Sequence, residues 1–116
     1  MATELPNAGY EDLRDHVQDE WGYIELQDDS DSQVTRIEID DDERASWAAD
    51  GDIRRVTVTV TGDDSDISTP VTIESSHLFK EGTGGSSLSN DSFSGATLEE
   101  SSDELTVEHE VQIPQQ

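Results

Sequence analysis

The stretch Ile53-Arg54-Arg55-Val56-Thr57-Val58-Thr59-Val60-Thr61 decides the fold. In an extended chain Val56, Val58 and Val60 fall on one side and Thr57, Thr59 and Thr61 on the other, which is the period of a half-buried β-strand. Every residue from 56 to 61 is β-branched, the side-chain type that suits a pleated, half-buried surface. A slip of one residue would turn all three valines to solvent, so the hydrophobic pattern also sets the register.

The same period recurs on both sides of this strand. Gln33 to Asp40 puts Ile37 and Ile39 on one face and Arg36 and Glu38 on the other. Tyr23, Ile24 and Leu26 begin an extended segment that ends at the acidic turn Asp28-Asp29-Ser30-Asp31. After the turn Gly62-Asp63-Asp64-Ser65, Thr69 to Ser75 reads as a shorter strand, with Pro70 suited to its end or edge. Ser92 to Leu98 reads as a weaker strand. Glu104 to Ile113 reads as the last, with Leu105, Val107, His109, Val111 and Ile113 inward and Pro114 as its stop. Asp40 to Gly51 is expected to be a connection with one helical turn, anchored by Trp47.

Residues 9–21 break the pattern. Tyr10, Leu13, Val17 and Trp21 recur at steps of three and four, after the start signal Pro6-Asn7, as an amphipathic helix requires. That stripe is the candidate docking or oligomer surface, with core packing as its other use. The organisation expected is an N-terminal extension (1–8) followed by one domain (9–116), with a helix over 9–21 and strands within 22–113. Six or seven short strands without crossover helices imply a mainly β fold, an antiparallel β-sandwich or barrel-like domain with one N-terminal α-helix.

Composition narrows the function classes. Of 116 residues 29 are Asp or Glu and 6 are Lys or Arg, a formal charge of -23, and 30% hydrophobic residues suffice for one modest core. Such a chain repels itself in dilute buffer, whereas molar salt shortens the screening length to roughly 3 Å. The sequence therefore predicts a protein that works in high salt. So few cations cannot bind a phosphate backbone or an anionic membrane surface against this field, so neither nucleic acid nor membrane is expected as a partner. There is no cysteine, no apolar leader over Met1 to Gly9 and no run of roughly 20 apolar residues.

No catalytic or metal-binding pattern assembles, and no cofactor is expected. His16, His77 and His109 lack ligand spacing, and Ser76 beside His77 has no nucleophile-elbow context. The acidic groups Asp28-Asp29-Asp31, Asp40-Asp41-Asp42-Glu43 and Asp63-Asp64-Asp66 lack the spaced cation loop and read as solvated surface. Gly82-Thr83-Gly84-Gly85 lacks the lysine of a phosphate loop and reads as a hairpin turn. The chain is not expected to be an enzyme.

His77-Leu78-Phe79, Gly84-Gly85-Ser86-Ser87-Leu88, Phe93, Asp103-Glu104-Leu105-Thr106-Val107 and the closing strand to Ile113 resemble a family of small structural proteins encoded by tailed viruses. In that family a glycine-leucine-phenylalanine phrase, two glycines, a leucine and a phenylalanine precede an aspartate-x-leucine-x-valine strand. His77 stands here for the glycine, and His109 for an aromatic residue of the last strand. With the acidity, the resemblance implies a virion protein of a tailed virus of a halophilic archaeon, made in the host cytoplasm and located in the virion.

A capsid decoration or turret subunit is the leading expectation, with a tail, neck or baseplate component as the alternative. The implied partners are other virion proteins, either the major capsid protein or tail proteins, and copies of itself in a trimer or another small ring. From a different class, a cellular ligand-binding β-sandwich module would need convergent aromatic residues in its loops, which here offer mainly Asp, Ser and Gly.

Overall fold

A computed structural model describes residues 5–113. One helix, α1 (Asn7–Glu20), precedes seven strands: β1 (Tyr23–Asp28), β2 (Gln33–Glu38), β3 (Ala45–Asp50), β4 (Ile53–Thr61), β5 (Val71–Phe79), β6 (Ser89–Leu98) and β7 (Glu104–Gln112). They form two antiparallel sheets, a four-stranded one in the order β2-β1-β5-β6 and a three-stranded one in the order β3-β4-β7. The two sheets pack face to face as a β-sandwich, with the helix near the N-terminus.

The alternating valines of β4 produce the packing expected of them. Val56, Val58 and Val60 are fully buried, and β7 brings His109, Val107 and Leu105 opposite them in that order. From the facing sheet come Ile24 and Leu26 of β1, Ile37 of β2, Ile73 and Leu78 of β5 and Leu98 of β6, all essentially inaccessible. Burial of a Leu or Ile side chain stabilises by roughly 1.5–3 kcal/mol, so this layer dominates the favourable side of folding. On the outer face of the smaller sheet, the hydroxyls of Thr59 and Thr106 hydrogen-bond across the strands at 2.9 Å.

The turns are closed by the acidic residues themselves. Asp28 Oδ1 accepts the backbone N–H of Ser30 at 2.8 Å and of Ser32 at 2.9 Å, which lets Asp31 take φ +60°. Asp103 Oδ2 accepts from the N–H groups of Glu99 and Glu100 in the same manner. At Gly62 the backbone runs so close to the Glu100 carbonyl that any Cβ would collide with it. The β4–β5 and β6–β7 turns meet there, and Gly62 N–H donates to Asp103 O at 2.9 Å.

Several expected boundaries are corrected. The segment assigned to a helical turn is strand β3, which pairs along its whole length with β4, from Ala45 opposite Val58 to Asp50 opposite Ile53. Trp47 is a half-buried strand residue against the core, not a helical anchor. The helix starts two residues earlier than 9 and ends at Glu20, with Trp21 N–H capping to the Val17 carbonyl at 2.9 Å. β5 runs on through His77-Leu78-Phe79 to residue 79, and β6 begins at Ser89. In the last strand only Val107 and His109 are fully buried, with Leu105, Val111 and Ile113 at the margin. Pro114 lies outside the described residues.

The two faces of β4 give a direct test. Leu26→Ala, made opposite the valine face, should cost about 2–5 kcal/mol by denaturant unfolding in molar KCl, whereas Thr57→Ala on the other face of β4 should stay within about 1 kcal/mol.

Candidate functional site

Parity along β5 decides which polar groups meet. Period two would place Ser75 on the same face as Ile73, but Glu74 is an inserted residue relative to β1, where Asp28 lies opposite Ile73 and the adjacent Gln27 lies opposite Ser75. Ser76 and Leu78 therefore point inward, and Ser75, His77 and Phe79 point outward. Two histidine networks result, one inside the sandwich and one outside it.

Inside, His109 is fully buried between two hydroxyls, with Ser76 Oγ 2.7 Å from Nδ1 and Ser89 Oγ 2.8 Å from Nε2. Burial holds its pKa below the usual histidine value, against the opposing pull of the Asp91 carboxylate. The ring is thus a neutral connector, donating at one nitrogen and accepting at the other. It joins β7 of one sheet to β5 and β6 of the other.

Outside, His77 Nε2 lies 2.9 Å from Ser75 Oγ and Nδ1 lies 2.8 Å from Asn90 Oδ1. The amide oxygen of Asn90 accepts, which puts the ring proton on Nδ1 and leaves Nε2 to accept from the Ser75 hydroxyl. Ser87 Oγ hydrogen-bonds to Asn90 Oδ1 and fastens the β5–β6 loop to this group. The order is that of a nucleophile, a base and an orienting group. Chemistry at Ser75 would further need space for an acyl group, yet the residue is 7% exposed in a strand paired on both sides and lines none of the larger open hollows.

The arginines form the other polar assemblies. Arg44 bonds Asp42, Asp64 and Asp66 at 2.8–3.1 Å, tying the β2–β3 loop to the β4–β5 loop. The guanidinium holds Asp42 and Asp66 below the usual carboxylate range. Asp64 is also held low, its burial outweighed by the Thr61 N–H and Arg44. Arg54 on β4 reaches Glu11 and Asp15, and Arg14 on the helix reaches Asp52 and the Ile113 carbonyl, so α1 is latched to the smaller sheet from both sides. Arg55 binds Glu110 at 2.6 Å with Asp50 and Glu108 nearby.

Arg36 pairs with Glu25 at 2.8 Å on the outer face of the larger sheet, where each side chain is almost wholly covered. Its guanidinium stacks 3.6 Å from the centroid of Phe79 and donates to the carbonyls of Glu81 and Gly84. The glycine-rich loop is thereby pinned over the sheet. The hairpin turn read from its sequence joins the paired strands β5 and β6 and is held in place by these contacts.

The helical stripe divides. Val17 is 3% exposed and Trp21 packs against the core, while Leu13 is 43% exposed and Tyr10 is half-buried, its hydroxyl accepting the Leu5 N–H at 3.3 Å. Arg14, absent from the expected stripe, is one of the residues the helix buries. Leu13 is thus the member of the set free to meet another molecule. Among the described residues no group of three or more His, Asp or Glu is placed to hold a metal ion, and no helix is long and apolar enough to cross a membrane.

The open hollows are shallow. One of about 520 Å³ lies between Gln18, Trp47 and the loop Asp40 to Glu43. Another, of about 340 Å³, runs between β6 and β7 over Phe93, Ala96, Leu105 and Val107, with Asp91 and Glu108 at its rim. Comparison with protein-family models, with curated proteins and with solved structures finds no match.

The buried histidine predicts a pH response. Because the folded pKa of His109 lies below the unfolded value near 6.5, the unfolded chain takes up the proton first, and stability is lost as pH falls below about 6.5. Unfolding in molar KCl at a series of pH values should show this slope. His109→Gln should be less stable at about pH 8 but flatter between about pH 7 and pH 5.

Proposed function

We propose that this chain is a structural subunit of the virion of a tailed virus of a halophilic archaeon, acting as a capsid decoration or turret protein. The observation that carries the reading is the use made of the reactive side chains. His109 and its two serines join the sheets, His77 holds a loop, and each arginine is paired with at least one carboxylate, so the polar chemistry is invested in a body that keeps its shape. The histidines and their serines line none of the larger open hollows, and Arg36, which borders the one beside Asp41 to Glu43, is already engaged by Glu25, Phe79 and the glycine-rich loop.

Further support comes from form and surface. The chain measures 51 × 27 × 25 Å, an elongated sandwich whose loops gather at its two ends, which suits a subunit with one end docked and the other in solvent. The carboxylates left over from the arginine hubs lie at the surface, the pattern of a protein kept soluble by a charge that only concentrated salt makes compatible with compact folding. The resemblance of His77 to Ile113 to virion proteins points the same way, and the partners would be the major capsid protein and copies of this chain.

Two measurements test the proposal. The melting temperature should rise by roughly 10 °C or more from dilute buffer to molar KCl, and a flat response would remove the halophilic part. Quantitative mass spectrometry of purified particles should find the protein in near-stoichiometric ratio to the shell protein. A few copies per particle would move it to the tail, neck or baseplate, and absence would discard the virion role.

A further inference from the structure

The stretch Gly82 to Leu98 carries one ionisable side chain, Asp91, in a chain of charge -23. It forms the β5–β6 loop and all of β6, and most of it is solvent-exposed. The other sheet edges are guarded. β7 carries Glu104, Glu108 and Glu110, β2 carries Arg36 and Glu38, and the short β3 is bracketed by Asp40 to Glu43 on one side and Asp50 and Asp52 on the other. Charged residues are the usual means of keeping an edge strand from pairing with another chain. β6, paired only with β5, carries a single charge, Asp91, and the loop that leads into it from Gly82 to Leu88 carries none.

From this we infer that β6 is a self-association edge, at which two copies pair antiparallel about a twofold axis into a continuous eight-stranded sheet. The occupant follows from charge. Two copies of so acidic a chain repel over most of their surfaces, and the window from Gly82 to Leu98 is where they approach with least cost. The extra residues Phe93 to Gly95 interrupt the ladder between Ser92 and Ala96, which leaves Ser89–Ser92 as the regular stretch next to Leu88. A twofold axis between Asn90 and Asp91 sets each aspartate opposite an asparagine and not opposite its twin, where like charges would oppose pairing.

An anchor stands beside this edge. Leu88 is 40% exposed, one of three large apolar side chains left so among the described residues, and its own N–H is fixed to the Leu78 carbonyl at 2.8 Å. The loop that presents it is held by Arg36 on the Glu81 and Gly84 carbonyls and by Ser87 on Asn90. Little order remains to be imposed when a partner arrives, which favours binding. The inference rests on the structural-subunit reading and names the partner of its self-contact.

The test is light scattering coupled to size exclusion on the full chain in molar KCl. The native protein should elute at twice the 12.8 kDa chain mass. Leu88→Glu with Ser92→Glu, both at exposed positions, should give a single-chain mass with an unchanged melting temperature. Leu13→Asp should leave the pair intact. In the native protein the Asn90 to Ser92 amides should exchange more slowly as concentration rises. A native monomer up to about millimolar concentration, a trimer mass, a double variant that stays paired, or dissociation by Leu13→Asp would each overturn the edge pairing. A chain that pairs but is absent from particles removes the virion role alone, and a particle component that never pairs removes the edge pairing alone.

Discussion

Scarcity of positive charge is the constraint on which the rest of this structure depends. With 29 carboxylates and 6 cations, a positive group left free in solvent only lowers the net charge, whereas one placed among several carboxylates also ties chain segments together. The arginines instead sit where several chain segments converge: Arg44 between two inter-sheet loops, Arg54 and Arg14 between helix and sheet, Arg55 across β3, β4 and β7, and Arg36 beneath the glycine-rich loop. Arginine suits this task because its planar fork serves several acceptors and stays charged when covered. Lysine, a point charge, appears once, at exposed Lys80.

This arrangement explains how loops rich in aspartate keep fixed courses. Isolated surface ion pairs contribute about 0–1 kcal/mol each and are weakened by salt. The hubs here differ because several carboxylates share one partly covered guanidinium, and because the aspartates also accept backbone or hydroxyl hydrogen bonds, as Asp64 does from Thr61 and Asp66 from Thr35. Salt acts more strongly on the long-range repulsion between unpaired carboxylates than on these short contacts. High salt therefore removes the destabilising part of the electrostatics and leaves much of the stabilising part.

The hydrophobic alternation made β4, β7 and the mainly antiparallel β class legible in the sequence, since period two is a local property of consecutive residues, whereas the division into two sheets depends on long-range pairing. Strand β3 was not legible. Ala45-Ser46-Trp47-Ala48-Ala49-Asp50 has no β-branched residue and favours helix by composition, so its extended form comes from pairing with β4, which overrides propensity. The histidine networks were hidden for a second reason. The residue beside His77 in sequence, Ser76, bonds His109, 33 positions away, while His77 takes Ser75, because side chains two apart share a strand face and the bulge at Glu74 fixes which face that is. Within the helix, Val17 and Trp21 read as a continuous stripe with Leu13, but the depth at which α1 sits is set by Arg14 and Arg54, whose partners lie up to 99 residues away.

A strongly acidic subunit must still adhere to something if it is to build a structure, and the means open to it are limited. Ion pairing to a partner would draw on cations this chain has already committed internally, and concentrated salt weakens exposed pairs in any case. Apolar contact and backbone pairing are not weakened in this way, and excluded salts strengthen apolar burial. Assembly in such a medium should therefore use short, neutral, well-ordered surfaces set within a repulsive remainder, so that the repulsion sets specificity by preventing contact elsewhere. The ordered, nearly uncharged loop and edge strand around Leu88 and Asn90 have this composition, and the arginine beneath them gives a reason why one of the few cations lies far from the sandwich core.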